Sequence, residues 1–372
     1  MNNYFFNLST KIYFGKGSLK ELKEAKNLGK SALLVTGKHF VIRSGLLKKV
    51  ESILLNNGIK IIEFCDVEEN PSVETVEKGG KLVREKKCDF VIGLGGGSSI
   101  DTAKGIAVLA TNPGGLREYF GNERLKNPPL PVLAIPTTSG TGSEVTRYAV
   151  INDWQAQTKK VVSSFSILPK IAIIDPSLTL TLPKNLTAST GMDAFSHAIE
   201  GYLSTDANPL TEIFSREAIK LIKRYLPPLM KENNPSLREK LSLAAFYAGI
   251  VINRTGTIIV HGMGYPLTLD YGLQHGAANA LLLPYTMDYL GKKKVYQEKL
   301  KEILRTTEVK ESLLKLNRRL NLPLTLKEVG VKKKDLKLLS RRAIKDCERA
   351  LLRISIPLKA NDFFLIYKNA FE

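Results

Sequence analysis

The chain has four histidines, His39, His197, His261 and His275. Three of them fall in one window, Gly191 to Gly276, together with Asp193. Asp193 and His197 stand at i and i+4, which on a helix places both side chains on one face, one turn apart. One carboxylate and three imidazoles make a donor set suited to a divalent first-row metal, with a position left open for a substrate oxygen. Asp193 would be a costly buried charge without a cation beside it. His261 and His275 each precede glycine, where a backbone can bend close to a centre. A lone histidine on an apolar helix is more often a packed core residue, so the joint placement of the four carries the metal reading.

The elements that must position these groups change character along the chain. Up to about residue 180, apolar runs alternate with helical patterns. A short strand with a glycine turn is expected at 11–17, and further strands at Ser31–Val35, Ile59–Cys65, Asp89–Leu94, Val132–Ile135, Val145–Asn152 and Ile171–Asp175, with Trp154–Lys159 a polar connector. Ser18, with Glu21 three residues on, reads as a helix cap. Helices are expected over Gly45–Leu55, Val73–Lys87 and from about Ile100. This alternation argues for a parallel sheet covered by helices on both faces. After Leu182-Pro183 the periodicity is helical almost to the end, over 185–203, 210–225, 235–253, 256–269, 276–290 and shorter segments beyond 295. The expected division is therefore an α/β domain over 1–182 and an all-helical domain over 183–372.

Ligands in parallel sheets sit at the carboxyl ends of strands. Two loops there are rich in glycine and hydroxyls: Gly93–Ser99, with Gly95, Gly96, Gly97 and Ser98, and Pro136–Glu144, with Thr137, Thr138 and Thr141. Glycines admit a close backbone approach to a pyrophosphate, and a helix N-terminus adds N–H groups and a positive dipole end. Ser98 stands where the dinucleotide fingerprint wants Gly or Ala, so the first loop is not that motif.

Bulk composition is that of an ordinary globular protein, 43% hydrophobic and 24% charged. No apolar run approaches the roughly 20 residues that span a bilayer. The N-terminus has no signal-peptide pattern, and the three scattered cysteines suggest a reducing, cytoplasmic setting without disulfides. The net charge of +19 raises nucleic-acid binding. The basic residues, however, alternate with apolar ones at helical spacing, as in Lys332–Arg342, which marks solvated helix faces. Neither a nucleic acid nor a membrane is expected as a partner.

The segments Gly191-Met192-Asp193-Ala194-Phe195-Ser196-His197-Ala198-Ile199-Glu200-Gly201 and His261-Gly262-Met263-Gly264-Tyr265-Pro266-Leu267 closely resemble signatures of the iron-containing (group III) alcohol dehydrogenases. So do His275–Ala280, Gly95–Ser98 with Asp101 and Lys104, Pro136–Glu144, and Glu69-Asn70-Pro71. The resemblance runs collinearly over roughly residues 8 to 290, and more loosely over the tail. It implies a dehydroquinate synthase-like architecture: a Rossmann-like N-terminal domain, then an all-α domain carrying the metal in the cleft. It implies Asp193, His197, His261 and His275 as ligands of Fe²⁺, with Zn²⁺ as the alternative. It places cofactor contacts at Asn70, Gly97, Ser98, Thr137, Thr138, Thr146, Tyr148, Lys159 and Leu178, to which the loop readings add Gly96 and Thr141. The implied reaction moves a hydride between NAD(P)H and a small alcohol or aldehyde, in a homodimer or larger assembly.

Two positions depart from the family pattern. Many relatives carry Asp where Gly37 stands, and that carboxylate grips the ribose 2′-hydroxyl of NAD. Gly37 removes a charge that would repel a 2′-phosphate, and Lys38 or His39 can approach one, so NADP is expected over NAD. Tyr265, four residues after His261, replaces a histidine that many relatives carry as a candidate proton relay. An unperturbed tyrosine, with a pKa of roughly 10, is a poor base at neutral pH. Thr146, Phe195 and Tyr265 are expected to line the substrate pocket. The alternatives are glycerol, propanediol or lactaldehyde-type oxidoreductases on the same scaffold, or a non-catalytic NADP-binding protein.

Overall fold

The computed structural model describes residues 3–372. Two compact units emerge. Leu8–Thr138 with Ser143–Thr179 form an α/β unit, and Leu180–Glu372 with Ser139–Gly142 and the residues up to Asn7 form a helical one.

The α/β unit is built on strands β1 (Lys11–Phe14), β2 (Ser31–Gly37), β3 (Lys60–Val67), β4 (Phe90–Gly95), β6 (Val132–Pro136) and β9 (Ile171–Ile174). They form one sheet in the order β1-β9-β6-β4-β2-β3, with every pairing parallel. The central strands are buried on both faces, which is why they read as unbroken apolar runs. Leu33, Val35 and Val91 enter one core, while Ala32, Leu34, Phe90 and Ile92 enter the core on the other side. That is the two-residue period of a strand. The chain leaves β2 towards β3 on one side and returns to β4 on the other, so strand order switches between β2 and β4. A switch point leaves room for a ligand beyond the carboxyl ends of those strands.

A smaller sheet of β5 (Gly121–Asn122), β7 (Tyr148–Asp153) and β8 (Thr158–Ser163) completes the unit, with β7 and β8 forming an antiparallel hairpin. Here the sequence reading needs correction. The strand expected over Val145–Asn152 starts only at Tyr148, because Ser143–Val145 is a 3-10 turn. The polar connector is shorter than expected, and β8, the middle strand of this sheet, begins at Thr158, where Lys159 and Lys160 interrupt the apolar pattern. Ser18 does not cap a helix. Gly17, in a left-handed conformation, precedes a 3-10 helix over Ser18–Asn27. The helix after β4 starts at Gly97 rather than near Ile100, so Ser98 and Ser99 form its first turn.

The helical unit is organised around Lys184–Leu203, whose second half is buried on every side. A helix apolar all round belongs at a centre, not a surface. Pro209–Leu229, Pro235–Thr255, Ile259–Tyr271 and His275–Gly291 pack around it in one continuous core. Asn208 and Asn234 cap two of these helices through their side chains, each followed by a proline in the first turn. Among the described residues, no single helix is long and apolar enough to cross a membrane.

Candidate metal centre and nucleotide loops

Asp193 and His197 project from one face of Lys184–Leu203, as their spacing requires. His261 lies in the first turn of Ile259–Tyr271, and His275 is the first residue of His275–Gly291. The three helices bring the four side chains together. Asp193 Oδ1 stands 3.4 Å from His261 Nε2, 3.7 Å from His275 Nε2 and 3.9 Å from His197 Nε2. The donor atoms of Asp193, His261 and His275 all lie within 4.8 Å of one another. The His197 ring stacks on His261 with centroids 4.6 Å apart. Donors about 2.1 Å from a tetrahedral first-row ion stand roughly 3.4 Å apart, so these separations suit one cation held among them.

The electrostatics point the same way. Burial works against charge on Asp193, yet the three imidazoles hold its carboxyl well below the usual range. Burial pushes His197 down to about 4, which Asp193 only partly offsets. Burial also opposes charge on His261, but Glu200 and Asp193 outweigh it and push that ring up to about 9. Two buried carboxylates driving one imidazole towards its cationic form mark a pocket that requires positive charge. His261 Nε2 is itself buried without a hydrogen-bond partner, as a ligand atom would be.

In the α/β unit, the carboxyl ends of β2, β4 and β6 carry the expected nucleotide residues. Gly95 has φ +147, and a Cβ there would fall 2.5 Å from Ser99 Oγ, so the turn into the helix needs glycine. Gly96 lies against Thr138, where an added Cβ would stand 3.3 Å from its Cγ2, and Thr137 N donates to Gly95 O at 2.9 Å. Gly97 and Ser98 open the helix. Asn70 sits at φ +55 and is held there from three sides. Its N–H donates to Ser98 Oγ at 3.3 Å, Lys159 Nζ donates to its Oδ1 at 2.8 Å, and Asn152 Nδ2 donates to its carbonyl at 2.9 Å. Thr146 and Tyr148 are tethered by the buried Lys104, which donates to Ser143 Oγ at 2.8 Å, Thr146 O at 2.9 Å and Tyr148 O at 2.8 Å. Gly37 ends β2, with Lys38 and His39 exposed beside it. Leu178 packs half-buried against the sheet core. Thr141 falls in Ser139–Gly142, which groups with the helical unit.

The first part of the chain, residues 9–176, matches the family model for iron-containing alcohol dehydrogenase. Residues 187–371 match the model for the C-terminal part of the Fe-containing alcohol dehydrogenase family. This chain belongs to the iron-containing alcohol dehydrogenases. Membership makes it an oxidoreductase of the alcohol dehydrogenase class, with a metal ion and a nicotinamide dinucleotide as cofactors. It is 37% identical to an NADPH-dependent butanol dehydrogenase of Clostridium saccharobutylicum, over 92% of each chain. It is 36% identical to a 1,3-propanediol dehydrogenase of Citrobacter freundii, over 96% of each. Its fold matches a crystal structure of 1,3-propanediol oxidoreductase with a TM-score of 0.94, at 33% identity and over the whole of both chains.

Within this alcohol dehydrogenase, two residues at the metal centre escaped the sequence reading. Asn279 Nδ2 donates to Asp193 Oδ1 at 3.0 Å and lies 3.2 Å from His275 Nε2. Its spacing of four from His275 was the available signal. Glu200, fully buried, contacts His261 Nδ1. It follows Asp193 by seven residues and so shares its helix face. Phe195 needs correction in the other direction. Expected beside the substrate, it is completely buried in the helical core, two residues from Asp193 and hence on another face. Tyr265 is half-buried, its ring centroid 5.9 Å from that of His275.

Proposed function

We propose that this protein is a metal-dependent, NADPH-preferring reductase of small unbranched aldehydes that also oxidises the corresponding alcohols and diols. The observation that carries the reading is the convergence of Asp193, His197, His261 and His275 on one point. In this reading those four side chains hold the metal, and Fe²⁺ is the family's ion. A divalent cation there supplies Lewis acidity to an alcohol or carbonyl oxygen. The helical half, from about residue 183, has the task of holding that charge in a dry pocket. The α/β half, to about residue 182, has the task of holding the dinucleotide, with Gly96, Gly97 and Ser98 at the pyrophosphate. Asn70, Thr137, Thr138, Thr141, Thr146, Tyr148, Lys159 and Leu178 complete the cofactor contacts.

The NADPH preference rests on Gly37. Its φ lies outside the glycine-favouring region, and an added Cβ would meet only Val67 O, at 3.4 Å. Neither backbone nor space requires glycine there. What glycine does is keep a carboxylate away from the ribose, leaving Lys38 and His39 to meet a 2′-phosphate. The NADPH dependence named for the butanol dehydrogenase relative agrees. A homodimer in the cytoplasm is the proposed setting.

The test is a panel of short aldehydes, alcohols and diols run with NADPH and NADH, with metal analysis on the same sample. The expected outcome is turnover of several linear substrates at a kcat/KM at least ~10-fold higher with NADPH, a difference of about 1.4 kcal/mol. A clear NADH preference overturns the cofactor choice. Bound metal with no turnover of any of them favours a non-catalytic NADP-binding protein.

A further inference from the structure

Glu200 is a second buried carboxylate on the metal helix, outside the ligand set. Its side chain is 0% exposed. A carboxylate in that position must be fully partnered or it costs several kcal/mol. It has two partners, both on the helix that carries His261. Oε1 accepts the Val260 N–H at 2.8 Å, and Oε2 meets His261 Nδ1. The same ring turns its Nε2 towards Asp193 Oδ1, 3.4 Å away.

Elementary bookkeeping then fixes the ring. A neutral imidazole has one N–H and one lone pair, and an ionised carboxylate only accepts. With Oε2 on Nδ1, the proton belongs on Nδ1, and the lone pair is left on Nε2, the atom that faces the donor cluster. A metal can be bound only through a lone pair, so the carboxylate selects the tautomer that is able to ligate.

We propose that Glu200 is a positioning residue of the metal centre: it accepts the His261 Nδ1–H and the Val260 N–H together, and so presents His261 Nε2 to the metal. This rests on the reading of Asp193, His197, His261 and His275 as ligands. A simpler role exists, in which Glu200 only satisfies the helix-end N–H of Val260. The two roles differ in how many acceptors they need. Glutamine has one acceptor oxygen. If that oxygen stays on Val260, its NH₂ faces Nδ1 and forces the ring proton onto Nε2, where it blocks the metal. A glutamine suffices for a cap and fails as a tautomer selector.

The experiment uses the full chain, wild type and Glu200→Gln, stripped of metal and titrated with Co²⁺ and Zn²⁺ against a competing chelator. The expected result is a metal Kd weaker by about 10- to 100-fold in the variant, with shifted Co²⁺ absorption bands. Equal Kd and identical bands in the two proteins overturn the proposal and leave Glu200 a cap. Should the variant not fold, the unaltered protein decides. Ring-nitrogen NMR of the metal-free, ¹⁵N-histidine-labelled chain, at a pH where the His261 ring is neutral, has only four rings to assign. A His261 proton on Nδ1 supports the proposal, and one on Nε2 overturns it. If wild type itself binds neither ion, the metal reading has failed, an outcome distinct from a tight wild type matched by its variant.

Discussion

Gly276 and Ser189 approach so closely that no side chain fits between them: a Cβ on Gly276 would lie 1.9 Å from Ser189 O. The same atom would lie 3.0 Å from Asp193 Cβ. The helix that starts with His275 therefore docks backbone to backbone on the helix of Asp193, and His275 reaches the cluster only because of that contact. Gly276→Ala is expected to push the two helices apart. Overpacking of this kind costs typically ~1–3 kcal/mol, and here it also moves a proposed ligand. Metal content per chain should fall well below that of wild type, together with the thermal midpoint. A variant that retains full metal would show that the docking does not set the His275 position.

That contact also shows why only part of the centre could be read in advance. Asp193 and His197 share one helix, so spacing alone aligned them. His261 and His275 arrive from other helices, so their crowding into one window suggested a shared site, and resemblance to a family supplied the ligand set. Glu200 was visible as a letter in the signature, but its partner is 61 residues away, a distance no local pattern encodes. The sheet was legible because its central strands are buried on both faces and carry no polar interruption. β8 was not, because Lys159 and Lys160 break its apolar pattern while Lys159 serves Asn70. Phe195 was misplaced because neighbourhood in sequence is not neighbourhood on a helix face.

The cofactor preference has a direct test at Gly37. Since a Cβ is tolerated there, Gly37→Asp should fold normally and change only the charge beside the ribose. It is expected to raise kcat/KM with NADH and depress it with NADPH, moving the ratio by at least ~10-fold towards NADH, or about 1.4 kcal/mol. Steady-state kinetics with both cofactors give the answer. An unchanged ratio would mean that the 2′ position is recognised elsewhere.

Glu144 gives the protein a stability that depends on pH. It is buried in the turn Ser143–Val145, and burial pushes its carboxyl up to about 7, with Lys104 only partly opposing. The ordinary value is 4.5, so between 4.5 and 7 the folded chain holds a proton that the unfolded chain has lost. Stability must then fall as pH rises through that window. The total change is about 3 kcal/mol at most. Glu144→Gln removes the proton and should remove the slope. With thermal midpoints measured side by side, the wild-type value should drop relative to the variant's on going from pH 5 to above pH 7. Parallel pH curves would show that Glu144 does not titrate there.

Tyr265 stands four residues after His261, and its environment decides what it can do. Burial raises the phenol above its usual range, and the neighbouring Asp346 and Cys347 act in the same direction. The group therefore stays protonated throughout the working range and cannot serve as a base. It can still donate a hydrogen bond near His275, whose ring lies 5.9 Å away between centroids. Tyr265→Phe is expected to change KM for the aldehyde several-fold while leaving every midpoint of the kcat/KM pH profile in place. Tyr265→His is expected to add a limb near the ordinary imidazole value of roughly 6.5, because it restores a titratable ring one turn from His261. A limb lost or displaced in the phenylalanine variant would return the proton to Tyr265 and refute this assignment.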